Sequence, residues 1–175
     1  MRILTLIATL VSFLLISHSN ANAKIVEFEN GGVSFVIPDN FHTLSVDEIK
    51  VKYPKTSRPK FVVATPTMAT SIAYDLKSQR LKQSQLGSLK KYFEGVLPRM
   101  IPGLQWVKRD IIELAGQKWI YLELTSYAVD TDIHNIMLIT SYKEKMLMFN
   151  FNSTKEKFAS QEGALRKSMR SISIK

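Results

Sequence analysis

Residues 104–152 read LQWVKRDIIELAGQKWIYLELTSYAVDTDIHNIMLITSYKEKMLMFNFN, and this stretch decides the fold. It divides into four strand-like runs, Leu104 to Leu114, Lys118 to Val129, Ile133 to Tyr142 and Met146 to Asn152. Turns at Ala115-Gly116, at Asp130 to Asp132 and near Glu144 separate them, so the runs predict an antiparallel meander. Ile120, Leu122 and Leu124 lie on one face of the second run, Trp119, Tyr121 and Tyr127 on the other. Leu147, Phe149 and Phe151 likewise oppose Met146 and Met148. Because side chains alternate along a strand, both faces of this sheet are apolar and both need cover. The expectation is an α+β domain, a three-layer α/β/α sandwich around a mostly antiparallel sheet. Trp119, Tyr121 and Tyr127 then read as core beneath a helix rather than as a binding platform.

The covering layers are legible upstream and downstream. Ile25 to Glu29 alternates apolar and polar residues, and Val33 to Ile37 follows Asn30-Gly31-Gly32, a hairpin signal closed by Pro38. Ser45 stands three residues before Glu48, the capping-box spacing, and predicts a short helix from Val46 to about Lys52 that Pro54 ends. Lys60 to Thr65 and Ser71 to Leu76 read as two further strands. Between Lys82 and Met100, Leu86, Leu89, Phe93, Val96, Leu97 and Met100 recur every three or four residues, which is one apolar stripe of an amphipathic helix. Pro102-Gly103 closes it. Ser153 and Glu156 repeat the capping-box spacing before a last helix carrying Phe158, Leu165, Met169 and Ile172 on one face.

The N-terminus has a different character. Arg2 precedes the uncharged run Ile3 to Ile16, then Ser17 to Asn22, with Ala21 and Ala23 at the −3 and −1 positions of a cleavable secretory signal peptide. The fourteen-residue run would span roughly 21 Å as a helix, short of the ~30 Å hydrocarbon core. Residues 1–23 are therefore expected to be a leader and 24–175 a single domain, periplasmic or secreted. The 175 residues are 45% hydrophobic, which excludes disorder as the general description, and contain no cysteine. That absence removes disulfides, Cys-ligated zinc, iron–sulfur clusters, thiol nucleophiles and the lipid-bearing cysteine of a bacterial lipoprotein.

Several words of the sequence resemble a known family. Gly32 to Phe41, Leu44 through Glu48-Ile49 to Tyr53-Pro54, the helix ending at Pro102-Gly103, Ile112 to Trp119 and the terminal Ser171-Ile172 are similar to the Mog1/PsbP-like superfamily, especially its small exported bacterial members of the DcrB type. The resemblance spans nearly the whole of 24–175 and rests on structural words: a strand entering a Pro-Asp turn, and a hairpin before a Trp-bearing strand. It implies the sandwich described above and a non-catalytic role in binding another protein. No functional motif matches, so the resemblance implies no site residues, and the missing lipobox cysteine departs from the lipoprotein members.

Chemistry-bearing motifs are few. Asp130, Asp132 and His134, with His42 elsewhere, are the residue types of a zinc or manganese site, but H-x-x-x-H and EF-hand spacings are missing and Asp130-Thr131-Asp132 reads as a hairpin turn. No G-x-S-x-G elbow, phosphate loop or dinucleotide fingerprint occurs. The expectation is that the protein is not an enzyme and takes no cofactor or metal. Charge is more informative than any motif. Net charge is +9, or +8 without Arg2, and Ile49 to Phe93 holds ten basic residues against Asp75 alone. Lys50, Lys52, Lys55, Arg58, Lys60, Lys77, Arg80 and Lys82 are accordingly the candidate partner-binding residues. An exported chain meets little nucleic acid, so the expected partner is an envelope or secreted protein with an acidic face, or else anionic lipid or a cell-wall polymer. The role expected is accessory, stabilising or toxin-immunity binding in the bacterial envelope; the alternatives are a lipid- or small-ligand-binding periplasmic module and an unrecognised hydrolase.

Overall fold

The computed structural model describes residues 24–128 and 131–175. The leader reading and Asp130 lie outside the described residues. In chain order the elements are β1 (Ile25–Phe28), β2 (Val33–Val36), β3 (His42–Thr43), α1 (Val46–Lys52), β4 (Phe61–Ala64), β5 (Thr70–Arg80), α2 (Leu86–Met100), β6 (Gln105–Leu114), β7 (Gln117–Tyr127), β8 (Asp132–Tyr142), β9 (Lys145–Thr154), α3 (Lys155–Arg170) and β10 (Ser173–Ile174).

The meander forms as its turns predict. Strands β6 to β9 pair in sequence, and β5 docks antiparallel on β9 from Thr70↔Ser153 to Arg80↔Lys145. With β4 and β3 outside β5, the order is β3-β4-β5-β9-β8-β7-β6, and every pairing is antiparallel. The Asn30-Gly31 hairpin also forms, with Glu29, Asn30 and Gly31 at φ of 52°, 57° and 76°. It belongs to a separate three-stranded sheet, β1-β2-β10, completed by the last residues of the chain.

Both faces of the large sheet are covered. On one, α3 and the small sheet bury Trp119, Phe149, Phe151, Phe35, Ile136 and Leu165 in a single core. The indole N–H of Trp119 donates to the Leu114 carbonyl at 2.8 Å, which removes the cost of burying that polar group. On the opposite face, α2 packs Leu86 and Leu97 onto Ile120, Leu122 and Ile139, and α1 closes a smaller cluster of Leu44, Ile49, Val62, Ala64 and Ala73. The fold is the expected α/β/α sandwich, with the small sheet sharing one outer layer with α3.

Four local readings are corrected. The last helix is capped by Thr154, whose hydroxyl accepts from the Lys157 amide; Ser153 is buried one residue earlier, 2.9 Å from the Thr70 hydroxyl. Strand β9 runs into α3 without a loop, so the residue at the strand's end is the one free to cap. The segment from Lys82 begins as a 3-10 turn over Gln83–Gln85 before α2. The α2 stripe is Leu86, Leu89, Phe93 and Leu97, while Met100, the last residue of the helix, is 73% exposed and the extended Ile101 after it packs on that core instead. Trp119 and Tyr121 are core, but Tyr127 is 59% exposed, lying over Gly103 where a Cβ would overlap its ring.

The β8–β9 turn carries local strain. Lys143 and Glu144 have φ of 49° and 56°, the left-handed region that a two-residue hairpin of this twist demands and that side chains other than Asn and Gly disfavour. The double change Lys143→Asn, Glu144→Gly should raise stability by about 1 kcal/mol. Urea denaturation measures this directly, and an unchanged midpoint would contradict it.

Candidate functional site

The layer holding α1 and α2 leaves a gap. Helix α1 is seven residues long and covers β4 and β5, while α2 lies over β6 and β7. Between them the floor is the α1/α2-facing side of β8 and β9, set by register into rows: Asn135, Asn152 and Ser71; Met137, Asn150 and Ala73; Ile139, Met148 and Asp75. Asn152 donates to the Asn135 side chain at 2.6 Å, whereas the buried Oδ1 of Asn150 has no partner among the described residues.

The segment from Tyr53 to Pro59, bounded inside by Pro54, forms the wall beside α1. It separates two concavities that share Tyr53, Ser57 and Pro59. The first, about 310 Å³, is lined by Lys52, Lys55 and Arg58, and no acidic residue is among its lining residues. The second, about 210 Å³, is lined by Ala73, Met137, Met148, Phe149 and Asn150, with Asp75 and Lys77 at its side.

Electrostatics differ between the two. In the second concavity Lys77 donates to Asp75 at 2.5 Å, and the pair is formally neutral. In the first, the Lys52 ammonium is half-buried, donates to the Met68 carbonyl at 2.6 Å and lies 5.5 Å from the centre of the Tyr53 ring, and among the described residues no carboxylate pairs with it. Burial strips water from that charge and lowers its pKa. Burial also raises the Tyr53 phenol, partly offset by its 3.3 Å bond with Ser71.

The eight basic candidates therefore divide. Lys52, Lys55, Arg58 and Lys77 line the two adjoining concavities. Lys50 turns to Asp47 at 2.8 Å, and the Lys60 ammonium sits 5.0 Å over the Phe61 ring. Arg80 lies opposite Lys145 at the far end of β5, and the Lys82 amide is held by Gln85 at the start of the turn before α2. Sequence reasoning missed Tyr53, Ser57, Met137, Met148 and Asn150. One signal was present: Asn150 and Asn152 occupy alternate positions of a strand face that is otherwise methionine.

A second polar cluster lies under α3. His134 does not meet Asp132, which instead approaches Lys155 at 3.6 Å; its Nε2 is 2.8 Å from Glu123 and its ring stacks on Phe158 at 3.5 Å. Since a carboxylate only accepts, Nε2 carries the proton. Glu123 also accepts from the Tyr121 hydroxyl and from Arg166 Nη2 at 2.8 Å, and Arg166 Nε donates to Glu162 at 2.7 Å. His42 is remote from this cluster, 3.6 Å from Glu48 at the start of α1. Among the described residues no group of three His, Asp or Glu side chains is arranged to hold a metal. The cluster is a buried anchor for α3.

These layers, their order and the helix positions define an α+β sandwich with the fold of PsbP, the fold that the sequence words implied. Solved structures carry the same fold. The solution structure of cyanobacterial PsbP (CyanoP) from Synechocystis sp. PCC 6803 matches 91% of this chain and 96% of its own, with a TM-score of 0.63 at 12% identity. LpqN of Mycobacterium tuberculosis, described as involved in cell envelope biogenesis, matches 89% of this chain and 87% of its own, with a TM-score of 0.56 at 11% identity. A Bacteroides thetaiotaomicron protein matches 87% of this chain but 48% of its own, with a TM-score of 0.58 at 8% identity. No family model matches the chain, and no curated protein matches it in sequence. Among the described residues no helix is long and apolar enough to cross a membrane.

Proposed function

We propose that this chain is an exported, non-enzymatic domain of the bacterial cell envelope that binds another protein, in an accessory, stabilising or toxin-immunity role. The observation that carries this reading is the concavity lined by Lys52, Lys55 and Arg58, three cations with no acid among the lining residues. A half-buried ammonium without a counter-ion is costly, and an anionic partner group compensates it. The leader pattern of Arg2, Ile3 to Ile16, Ala21 and Ala23 supports export. The involvement of LpqN, which shares the fold, in cell envelope biogenesis supports the same compartment.

Capture of a partner by tagged residues 24–175 from an extract of the host's own periplasm tests the proposal. Reversal of Lys50, Lys55, Arg58 and Lys60 to glutamate should abolish capture. Lys52 is left in place because its bond to Met68 holds the loop, and its loss would confuse folding with binding. About 1 M salt, where the screening length falls to ~3 Å, should release the partner. Capture that survives both the reversal and the salt would remove the basic face from consideration.

A further inference from the structure

The two concavities differ in chemistry and share one wall. Tyr53, Ser57 and Pro59 line both, so the two hollows adjoin across that wall. The first presents unbalanced positive charge from Lys52, Lys55 and Arg58. The second presents Met137, Met148 and Ala73, and the charges among its lining residues, Asp75 and Lys77, are spent on each other. Resting on the protein-binding reading, we propose that this double site reads an extended acidic segment of the partner, seating an Asp or Glu carboxylate in the cationic concavity and an aliphatic side chain over the two methionines.

Size argues for side chains rather than a larger ligand. At about 310 and 210 Å³ the concavities fall at or below the lower end of small-molecule pockets, ~300–1,000 Å³, and neither accommodates a long acyl chain. Same-face side chains of an extended segment are roughly 7 Å apart, two residues at ~3.4 Å each, which suits neighbouring hollows divided by one wall. The wall itself is stiffened by Pro54 and Pro59, whose fixed φ lowers the entropy lost on binding. Methionine is suited to the floor, since its flexible thioether adapts to Leu, Ile or Met.

Selection of a random displayed peptide library on residues 24–175 tests the proposal, with Lys55→Glu/Arg58→Glu protein as the counter-selection. Enriched peptides should carry Asp or Glu within two positions of Leu, Ile, Met or Phe. A synthetic peptide of the enriched sequence should lose affinity about tenfold or more when the acid becomes Asn, when the aliphatic becomes Ser, or when the double-Glu protein is used. Changing the peptide acid to Lys should restore binding to the double-Glu protein. The labelled methyl groups of Met137 and Met148 should shift on peptide addition. The proposal is overturned by enriched peptides without an acid, by equal enrichment on the double variant, by no enrichment, or by methionine methyls that stay in place. Arg58-dependent binding of anionic phospholipid vesicles without peptide enrichment would overturn it too, assigning the cations to lipid phosphate. If the double site fails while capture still depends on the four reversed charges, the protein-binding reading stands; if capture is also indifferent to them, both fall.

Discussion

Glu123→Ala should destabilise the domain by about 3–5 kcal/mol, the loss typical when one member of a buried ion pair is removed. Against a total stability of about 5–15 kcal/mol for a domain of this kind, that is a large fraction. Glu123 is 4% exposed and is the shared acceptor of Tyr121, His134 and Arg166. Truncation leaves the Arg166 guanidinium with Glu162 as its remaining carboxylate and leaves the Tyr121 and His134 donors unmet. Glu123→Gln retains an acceptor and should cost less. Burial, the largest single influence on the Glu123 carboxyl, would raise its pKa, but the bonds from Tyr121 and His134 and the charge of Arg166 outweigh it, and it sits below 4.5. The fold therefore binds fewer protons than the unfolded chain near that value. This stabilisation is complete above the ordinary carboxylate range and declines as pH falls through the depressed value. At the alkaline end the Tyr121 phenol is pushed up to about 12, chiefly by burial, so its contribution is lost as pH rises from about 10 to 12. Urea denaturation across pH should show both limbs, with the acid limb flattened in Glu123→Gln. A loss under about 1 kcal/mol in Glu123→Ala would contradict the anchoring role.

Trp119→Ala should cost a similar amount, about 3–5 kcal/mol, for a different reason. Trp119 is fully buried in the α3-side core, 6.1 Å from the Phe149 ring between centroids. Removing the indole opens a cavity that surrounding strands cannot close, since they are held by ladders on both sides. It also leaves the Leu114 carbonyl without its side-chain donor. Trp119→Phe keeps much of the volume and should cost less. Equilibrium denaturation measures the difference, and a change below about 1.5 kcal/mol would mean that the site repacks.

The strands and their faces were legible because the information is local. Ala115-Gly116 marks a tight turn, and Ile120, Leu122 and Leu124 alternate against Trp119 and Tyr121 within a single strand. The Ser45–Glu48 box likewise caps α1 as written, with bonds of 3.3 and 2.7 Å. Where local signals competed, they misled. Ser153 and Thr154 both have a hydroxyl suited to capping, and only the pairing of β9 with β5, which points Ser153 at Thr70, selects Thr154. Met100 continues the α2 periodicity, but periodicity does not say where the helix ends and Ile101 takes over the contact with the core.

The candidate site was legible in half. Charge counting found the cations and their segment, because a run of bases against one acid is a property of composition. It could not say that Lys50 would pair with Asp47, or that Lys52, Lys55 and Arg58 would line one hollow. The floor was invisible for the same reason: Ala73 and Asn150 become neighbours only when β5 docks on β9.

By itself the sequence determined the longer strands and the three helices, the two-sided apolar sheet, the α/β/α layering and the concentration of positive charge, since each follows from spacing and residue type over a few turns or strands; the two-residue strands β3 and β10 and the 3-10 turn before α2 were not legible in it. The tertiary structure alone decided the neighbours: β10 beside β2, β5 beside β9, His134 on Glu123 instead of Asp132, and a cationic hollow next to a methionine-floored one. These join residues far apart in the chain, and which of them meet is set by burying the whole core at once while satisfying its polar groups.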